Sequence, residues 1–239
     1  MKGAIITGAS SGIGRALAIR LHAEGYAVGI MARRAELLES LRAELTDRVY
    51  VSVCDVSQIE AAQQALCQLI AEMGDVDLVV LNAGTGHLNP ELIWQQEEET
   101  IVVNATAFAA LANVAFKHFI DRGKGHLVGI TSIGGLAGNA IAPAYTASKA
   151  FASNYLAGLR QKATQLKLPI TVTDVMPGFV DTEMAKSPIK FWVASPEVAA
   201  EQIARAIQRK ASLVYVTRRW RLIAWLFKLL PEPILRRIG

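Results

Sequence analysis

The sequence predicts a doubly wound parallel α/β sheet folded as a single domain, with a short helical tail. Three observations point to it. Short continuous apolar runs alternate with amphipathic stretches, a glycine-rich turn joins the first run to the first such stretch, and no linker rich in Pro, Gly or Ser divides the 239 residues. Continuous rather than alternating apolar runs mark strands buried on both faces. Right-handed crossovers then place helices on each side of the sheet.

The elements follow in order. Ala4–Thr7 is the first strand, and Gly12 to Ala23 has helical spacing. Ala27–Met31 is followed by the amphipathic stretch Ala35–Leu45, and Val49–Val53 by a helix over Ser57–Glu72. After Asp77–Leu81 comes one long helix, Glu97 to Asp121, and then the strand His126–Ile130. A second long helix covers Ala144–Leu166, Ile170–Val175 is the sixth strand, Pro196–Arg209 is helical, and Leu213–Val216 is the seventh strand. The body is therefore residues 1–217, and residues 218–239 are a basic, apolar tail.

Hydrophobic residues make up 52% of the chain and charged residues 19%, a balance that fills a core and argues against disorder. The net charge of +4 is uneven. Residues 218–239 hold six Arg or Lys against Glu232, so the tail carries +5 and the body −1. No basic face interleaved with aromatics marks the body, so nucleic acid is not an expected partner. Cys54 and Cys67 have the spacing of neither a zinc site nor a redox pair and fit free thiols in a reducing cytoplasm. The first apolar run is broken by Gly8, Ser10 and Ser11, unlike a secretory signal. His22, His87, His118 and His126 lack metal-ligand spacing, so no metal is expected, and His87 reads as a loop residue.

The turn Thr7-Gly8-Ala9-Ser10-Ser11-Gly12-Ile13-Gly14 lies between the first strand and the first helix. Gly8 and Gly12 permit a tight turn that brings backbone N–H groups to a pyrophosphate, and Gly14 permits close helix packing. The helix N-terminus adds unpaired donors and partial positive charge. This is the phosphate-binding corner of a Rossmann-like fold.

The glycine spacing, with Thr before it, resembles the classical short-chain dehydrogenase/reductase family, and the likeness runs over about residues 3–215. The resemblance implies that Gly8, Ser10, Ser11, Gly12, Ile13 and Gly14 line a nicotinamide coenzyme. Asp55-Val56 match the family's adenine position, and Asn82-Ala83-Gly84 the segment that supports the sheet and lines the coenzyme. Asn104, Ser132, Tyr145 and Lys149 match the catalytic tetrad, and Pro177-Gly178 with Val180 and Thr182 the loop beside the nicotinamide.

Coenzyme preference is read at the end of the second strand. An acidic side chain there bonds the ribose 2′-hydroxyl of NAD. This chain has Ala32, followed by Arg33 and Arg34, whose guanidinium groups suit a 2′-phosphate. Within the family an Arg at this point marks NADP(H) preference. Arg33 is the stronger candidate, and Arg34 is expected to face solvent or stack on the adenine.

Tyr145 and Lys149, four apart on a helix, share one face. A free phenol titrates near ~10, and a nearby ammonium lowers that value. The resemblance implies that Tyr145 delivers a proton as hydride reaches a carbonyl carbon, and that Lys149 also bonds the nicotinamide ribose. It implies further that Ser132 binds the carbonyl oxygen and Asn104 holds a relay water. Glu183 to Ser195 is expected to form a substrate lid, lined by Phe191 and Trp192.

The tail stretch Trp220–Leu230 is apolar at nine of eleven positions. At roughly 16 Å as a helix it is too short to cross a bilayer core of about 30 Å. Its basic flanks and tryptophans suit a membrane interface, and docking on the body over the cleft or a subunit contact fits equally well. The expected function is NADPH-dependent reduction of a carbonyl, or the reverse, on a hydrophobic substrate, by a homodimer or homotetramer. The rival is a non-catalytic NADP(H)-binding sensor or membrane scaffold, and the intact tetrad argues against it.

Overall fold

In the computed structural model, residues 2–184 and 191–231 are described. Residues 185–190 of the expected lid and residues 232–239 of the tail, including Arg236 and Arg237, lie outside them. Seven strands form one parallel sheet: β1 (Gly3–Thr7), β2 (Ala27–Ala32), β3 (Val49–Val53), β4 (Val76–Leu81), β5 (Gly125–Ile130), β6 (Ile170–Pro177) and β7 (Leu213–Val216). Their order is β3-β2-β1-β4-β5-β6-β7. The chain winds outward from β1 to β3, then returns to place β4 on the other side of β1. That reversal opens a crevice beyond the carboxyl ends of β1 and β4, where ligands of such sheets bind.

Helices α1 (Gly12–Ala23), α2 (Ala35–Leu45) and α7 (Pro196–Gln208) cover one face, burying Leu17, Leu21, Leu38, Leu41 and Ile203 against β1 and β2. The other face carries α3 (Ile59–Met73), α4 (Trp94–Ile101), α5 (Phe108–Arg122) and α6 (Pro143–Gln165). Its core is built around Leu66, Leu69, Leu111, Phe116, Phe119 and Leu156. Strands β1, β2, β4 and β5 are buried at nearly every position, which is why their sequences do not alternate.

Two details depart from the expected elements. The single long helix over Glu97–Asp121 starts earlier, at Trp94, and is interrupted by one π-helical turn at Val102–Ala107. An unexpected 3₁₀ turn, Ile133–Leu136, follows β5, with the Ser132 hydroxyl capping it through Gly134 N–H at 3.0 Å. Trp94–Arg122 is long and apolar enough to cross a membrane by length and composition, yet its apolar face is core, with Leu111, Ala112, Ala115, Phe116 and Phe119 buried. The tail forms α8 (Trp220–Leu229).

His126 on β5 is 8% exposed and bonds the Thr173 hydroxyl at 2.8 Å. That hydroxyl donates to the Ala211 carbonyl, so the ring supplies the N–H, and the imidazole is neutral. Burial, and secondarily Lys210, holds its pKa down to about 4. An unfolded His titrates near ~6.5. The unfolded chain therefore takes up a proton first, and the contribution present above ~6.5 is lost as pH falls toward 4. Chemical denaturation across this window is expected to show a loss on the order of 3 kcal/mol that is absent in His126→Gln.

Candidate active site

The crevice is built from the glycine turn. Gly8 and Gly12 have positive φ, +67° and +54°. A Cβ on Gly8 would meet the Ala83 backbone at 2.8 Å, and one on Gly12 the Thr182 methyl at 2.9 Å. One on Gly14 would strike the Gly8 carbonyl and the Asn82 amide. Three missing side chains thus leave a backbone-lined cradle at the N-terminus of α1, which fits a dinucleotide pyrophosphate.

Thr7 joins the cradle to the next strand. Its hydroxyl accepts the N–H groups of Asn82 and Ala83, each at 3.0 Å. The Asn82 side-chain amide donates back to the carbonyls of Thr7 and Gly8 at 3.0 and 3.1 Å. Gly84 then passes beside the candidate catalytic group, where a Cβ would lie 3.2 Å from Asn104 Oδ1 and 3.4 Å from Lys149 Nζ. Val56 is buried nearby, while the Asp55 carboxylate accepts the Ser57 N–H at 2.9 Å.

The two arginines are placed differently from expectation. Arg33 is largely exposed, its guanidinium 3.9 Å from the Asp55 carboxylate. Arg34 does not simply face solvent. It folds onto the turn, donating to the hydroxyls of Ser10 at 3.0 Å and Ser11 at 2.5 Å, and pairs with Glu183 at 3.1 Å. The two serine hydroxyls hold it there by accepting from one planar guanidinium. Ala32 is buried and offers no acid between them.

Asn104, Ser132, Tyr145 and Lys149 come together from three elements. The π turn aims the buried Asn104 amide at Thr85, accepting its N–H at 2.9 Å and donating to its carbonyl at 2.8 Å, with Ser148 Oγ at 3.1 Å. The 3₁₀ turn packs directly on α6, since a Cβ on Gly135 would meet the backbone of Ala150 at 2.7 Å. A Cβ on Gly134 would lie 3.3 Å from Ser132 Oγ and 3.5 Å from the Tyr145 ring. On the opposite side the same ring fills the space at Gly86, where a Cβ would stand 2.8 Å from it.

Lys149 is buried, donates to the Ile130 carbonyl at 3.0 Å, and lies 5.9 Å from the centre of the Tyr145 ring. Burial holds its pKa down to about 8, with Asp174 acting the other way. The Tyr145 phenol is raised, not lowered as the Tyr–Lys spacing suggests. Loss of water around it is the larger effect, and the Ser132 hydroxyl opposes it.

Several partners had no signature in the residue pattern. Asp174, 1% exposed on β6, receives the hydroxyls of Thr131 and Ser153, each at 2.5 Å. Thr131 precedes Ser132, and Ser153 lies one turn beyond Lys149, so this carboxylate clamps the serine's strand end to the tyrosine's helix. Burial raises its pKa, and the two hydroxyls oppose that rise. An ionisable residue inside the apolar run Ile170–Val175 is the signal that could have found it.

The expected lid ends where Asp181 N–H and Ala194 N–H bond across the loop's base, beside a bridge between Val180 and Ala194. Phe191 and Trp192 do not simply line the cleft. They pack against Trp220 of α8, ring centres 4.9 and 5.7 Å away, and Trp220 covers Gly178 closely enough to exclude any side chain there. His87 pairs with Glu99 at 2.8 Å. A cavity of about 610 Å³ lies away from Tyr145, between α7, β7, residues 192–195 and 217–219.

Residues 2–190 match the model of the short chain dehydrogenase family. An uncharacterized oxidoreductase of Myxococcus xanthus is 34% identical over 97% of this chain and 93% of its own length. A fatty acyl-CoA reductase of Acinetobacter baylyi is 32% identical over 100% of this chain and 84% of its own. Among solved structures, an alcohol dehydrogenase from the archaeon Thermococcus sibiricus, complexed with 5-hydroxy-NADP, is similar at a TM-score of 0.78 and 29% identity. The match covers 90% of this chain and 94% of that one.

Replacing Asp174 by Asn leaves one of the two hydroxyls facing a donor. Thermal or denaturant unfolding is expected to show a loss of about 1–3 kcal/mol. Lys149 then loses the charge that holds its pKa up, so its titration, followed by side-chain NMR, moves below that of the wild type. An unchanged lysine titration would contradict the coupling. Gly86→Ala is expected to displace the Tyr145 ring, costing about 1–3 kcal/mol in the same unfolding assay.

Proposed function

The chain belongs to the short chain dehydrogenase family and is an NAD(P)-dependent oxidoreductase acting on CH–OH or carbonyl groups, and from that premise we propose that it is an NADPH-dependent carbonyl reductase with Tyr145 as proton donor. The observation that carries this reading is the half-buried Tyr145 ring lodged between Gly86 and Gly134 beside Ser132, at the carboxyl edge of the sheet. A phenol whose pKa is raised stays protonated at neutral pH, the state an acid needs for reduction.

When bound, the coenzyme supplies hydride to the carbonyl carbon. The protein's residues do the rest. Ser132 Oγ donates to the carbonyl oxygen and orients it. Tyr145 transfers its phenolic proton to that oxygen as negative charge develops, so C=O becomes CH–OH and the tyrosine is left as phenolate. The Lys149 ammonium stabilises the phenolate through its charge and bonds the ribose hydroxyls. Asn104, fixed by Thr85, holds the relay water through which the phenolate is reprotonated. Gly8, Ser10, Ser11, Gly12, Ile13 and Gly14 would hold the pyrophosphate and ribose, Asp55 and Val56 the adenine, and Asn82, Ala83 and Gly84 the segment between. Pro177, Gly178, Val180 and Thr182 would lie beside the nicotinamide.

Arg34 on the Ser10 and Ser11 hydroxyls, with Arg33 alongside and no acid at Ala32, supports a 2′-phosphate and hence NADPH. A hydrophobic, lipid-like substrate is supported by exposed Met184, Phe191 and Trp192 near the cleft and by the likeness to a fatty acyl-CoA reductase. Exposed Ile101 on α4 and Phe151 on α6 support a homo-oligomer built through these helices.

The test follows coenzyme oxidation with a panel of hydrophobic ketones and aldehydes. Wild type is expected to turn over with NADPH, and Tyr145→Phe to lose about 10²–10⁴-fold in kcat. Arg33→Ala with Arg34→Ala is expected to raise KM for NADPH by about tenfold or more while leaving NADH nearly unaffected. Undiminished turnover in Tyr145→Phe would sink the assignment. In the pH profile of reduction, kcat/KM is expected to stay level below about 8 and to fall above it. There Lys149 loses its proton and with it the charge that stabilises the phenolate.

A further inference from the structure

We propose that α8 seats this protein on an anionic lipid bilayer, with the mouth of the carbonyl-reducing cleft turned toward the lipid; the second half of this rests on the function proposed above.

The helix has two apolar faces. Trp220 and Ala224 are buried against the body, which fixes the helix in place. Leu222, Trp225, Leu226 and Leu229, at i, i+3, i+4 and i+7, form the opposite stripe and are 66%, 62%, 49% and 78% exposed. Such spacing describes a single continuous face. The fold makes little use of these four side chains. Ten residues of helix extend about 15 Å, half the thickness of a hydrocarbon core, so this face lies along a bilayer and does not cross it.

Charge selects the occupant. Arg218, Arg219 and Arg221 are exposed around the first turn of α8, and none has an ion pair among the described residues. Arg218 and Arg219 also line the 610 Å³ cavity, together with Arg209, so the ground beside the apolar stripe is cationic as well. The tail carries +5 against −1 for the body. A second copy would bring another tail of charge +5 against this one, whereas anionic headgroups complement it. The flanking tryptophan and arginines are the residue types that settle at an interface.

Geometry links the docked helix to the cleft. Trp220 packs edge-on to Phe179 and against Phe191 and Trp192, and covers Gly178. Phe191, Trp192 and Val193 remain exposed at 44%, 38% and 44%. Seating α8 in the headgroup layer brings these apolar side chains, which are coupled to it through Trp220, close to the lipid, and the proposed orientation gives a hydrophobic carbonyl compound a short path from the bilayer to the cleft.

The test uses the full chain and vesicle flotation, comparing phosphatidylcholine alone with an equal mixture of phosphatidylcholine and phosphatidylglycerol. The wild type is expected to float with the mixed vesicles, with a blue shift of tryptophan emission, and to bind pure phosphatidylcholine at least about tenfold more weakly. Leu222→Ser with Leu226→Ser, and separately Arg218→Glu with Arg221→Glu, are expected to lose at least about tenfold in binding. Both are expected to keep wild-type turnover of a water-soluble carbonyl compound and to lose turnover of a long-chain ketone embedded in vesicles. Failure of the wild type to float overturns the proposal. So does equal binding to both vesicles, or a serine variant that converts an oligomer to a monomer without altering flotation, which would assign the stripe to a second copy. Flotation needs no turnover: its success with no carbonyl reduced would overturn the function and the orientation of the cleft, and its failure with full reduction would overturn α8 docking alone.

Discussion

Where the strand order reverses, β1 and β4 lie side by side while the chain beyond them leaves in opposite directions, and the Thr7 hydroxyl holds the two ends together. It accepts two backbone N–H groups from the far strand, and Asn82 returns two hydrogen bonds from its side chain to the glycine turn. Four bonds across the mouth of the crevice set how far the turn stands from Gly84, and Gly84 touches the space of both Asn104 and Lys149. Without this tie the cradle and the candidate catalytic group would be carried by separate loops. With it they form one rigid rim.

A second tie works below the rim. Asp174 is buried between the end of β5 and the middle of α6, and binds a hydroxyl from each. A carboxylate there is costly to bury alone, and the two donors make it tolerable. It also sets the charge around Lys149, which is buried on the same helix with a single carbonyl partner. Through these two hydroxyls the group ties the strand end that carries Ser132 to the helix that carries Tyr145. The absence of side chains at Gly86, Gly134 and Gly135 then lets the tyrosine ring and the 3₁₀ turn approach closely enough to share a site.

How much of this was legible depended on whether the signal was local. Strand β4 is marked by a run of apolar residues, helix α7 by its helical pattern, and Gly8, Gly12 and Gly14 by spacing, because each is dictated by neighbours in sequence. The π turn at Asn104 was not legible: nothing in Val102–Ala107 departs from an ordinary helical pattern, and the widening is used to meet Thr85 and Ser148, 19 and 44 residues away. The posture of Arg34 was hidden for the same reason, being decided by two serine hydroxyls 24 and 23 residues earlier. Phe191 and Trp192 are expected as the apolar lining of a lid, and the partner they pack against, Trp220, belongs to another element.

Read alone, the chain settles the parallel α/β class, the order of strands and helices and the family likeness, and it names the side chains expected to carry the chemistry. Periodicity and turn chemistry act over a few residues and need no knowledge of the rest. The pKa of Tyr145 is another matter. Spacing placed a lysine nearby and suggested a lowered phenol, but desolvation by the packed site acts in the opposite sense and is the larger effect. The two faces of α8 likewise required the body against which Trp220 is buried, because an all-apolar stretch shows which residues avoid water and not which of them have found cover. Burial is a property of the assembled chain, and both the proton's affinity and the exposed stripe follow from it.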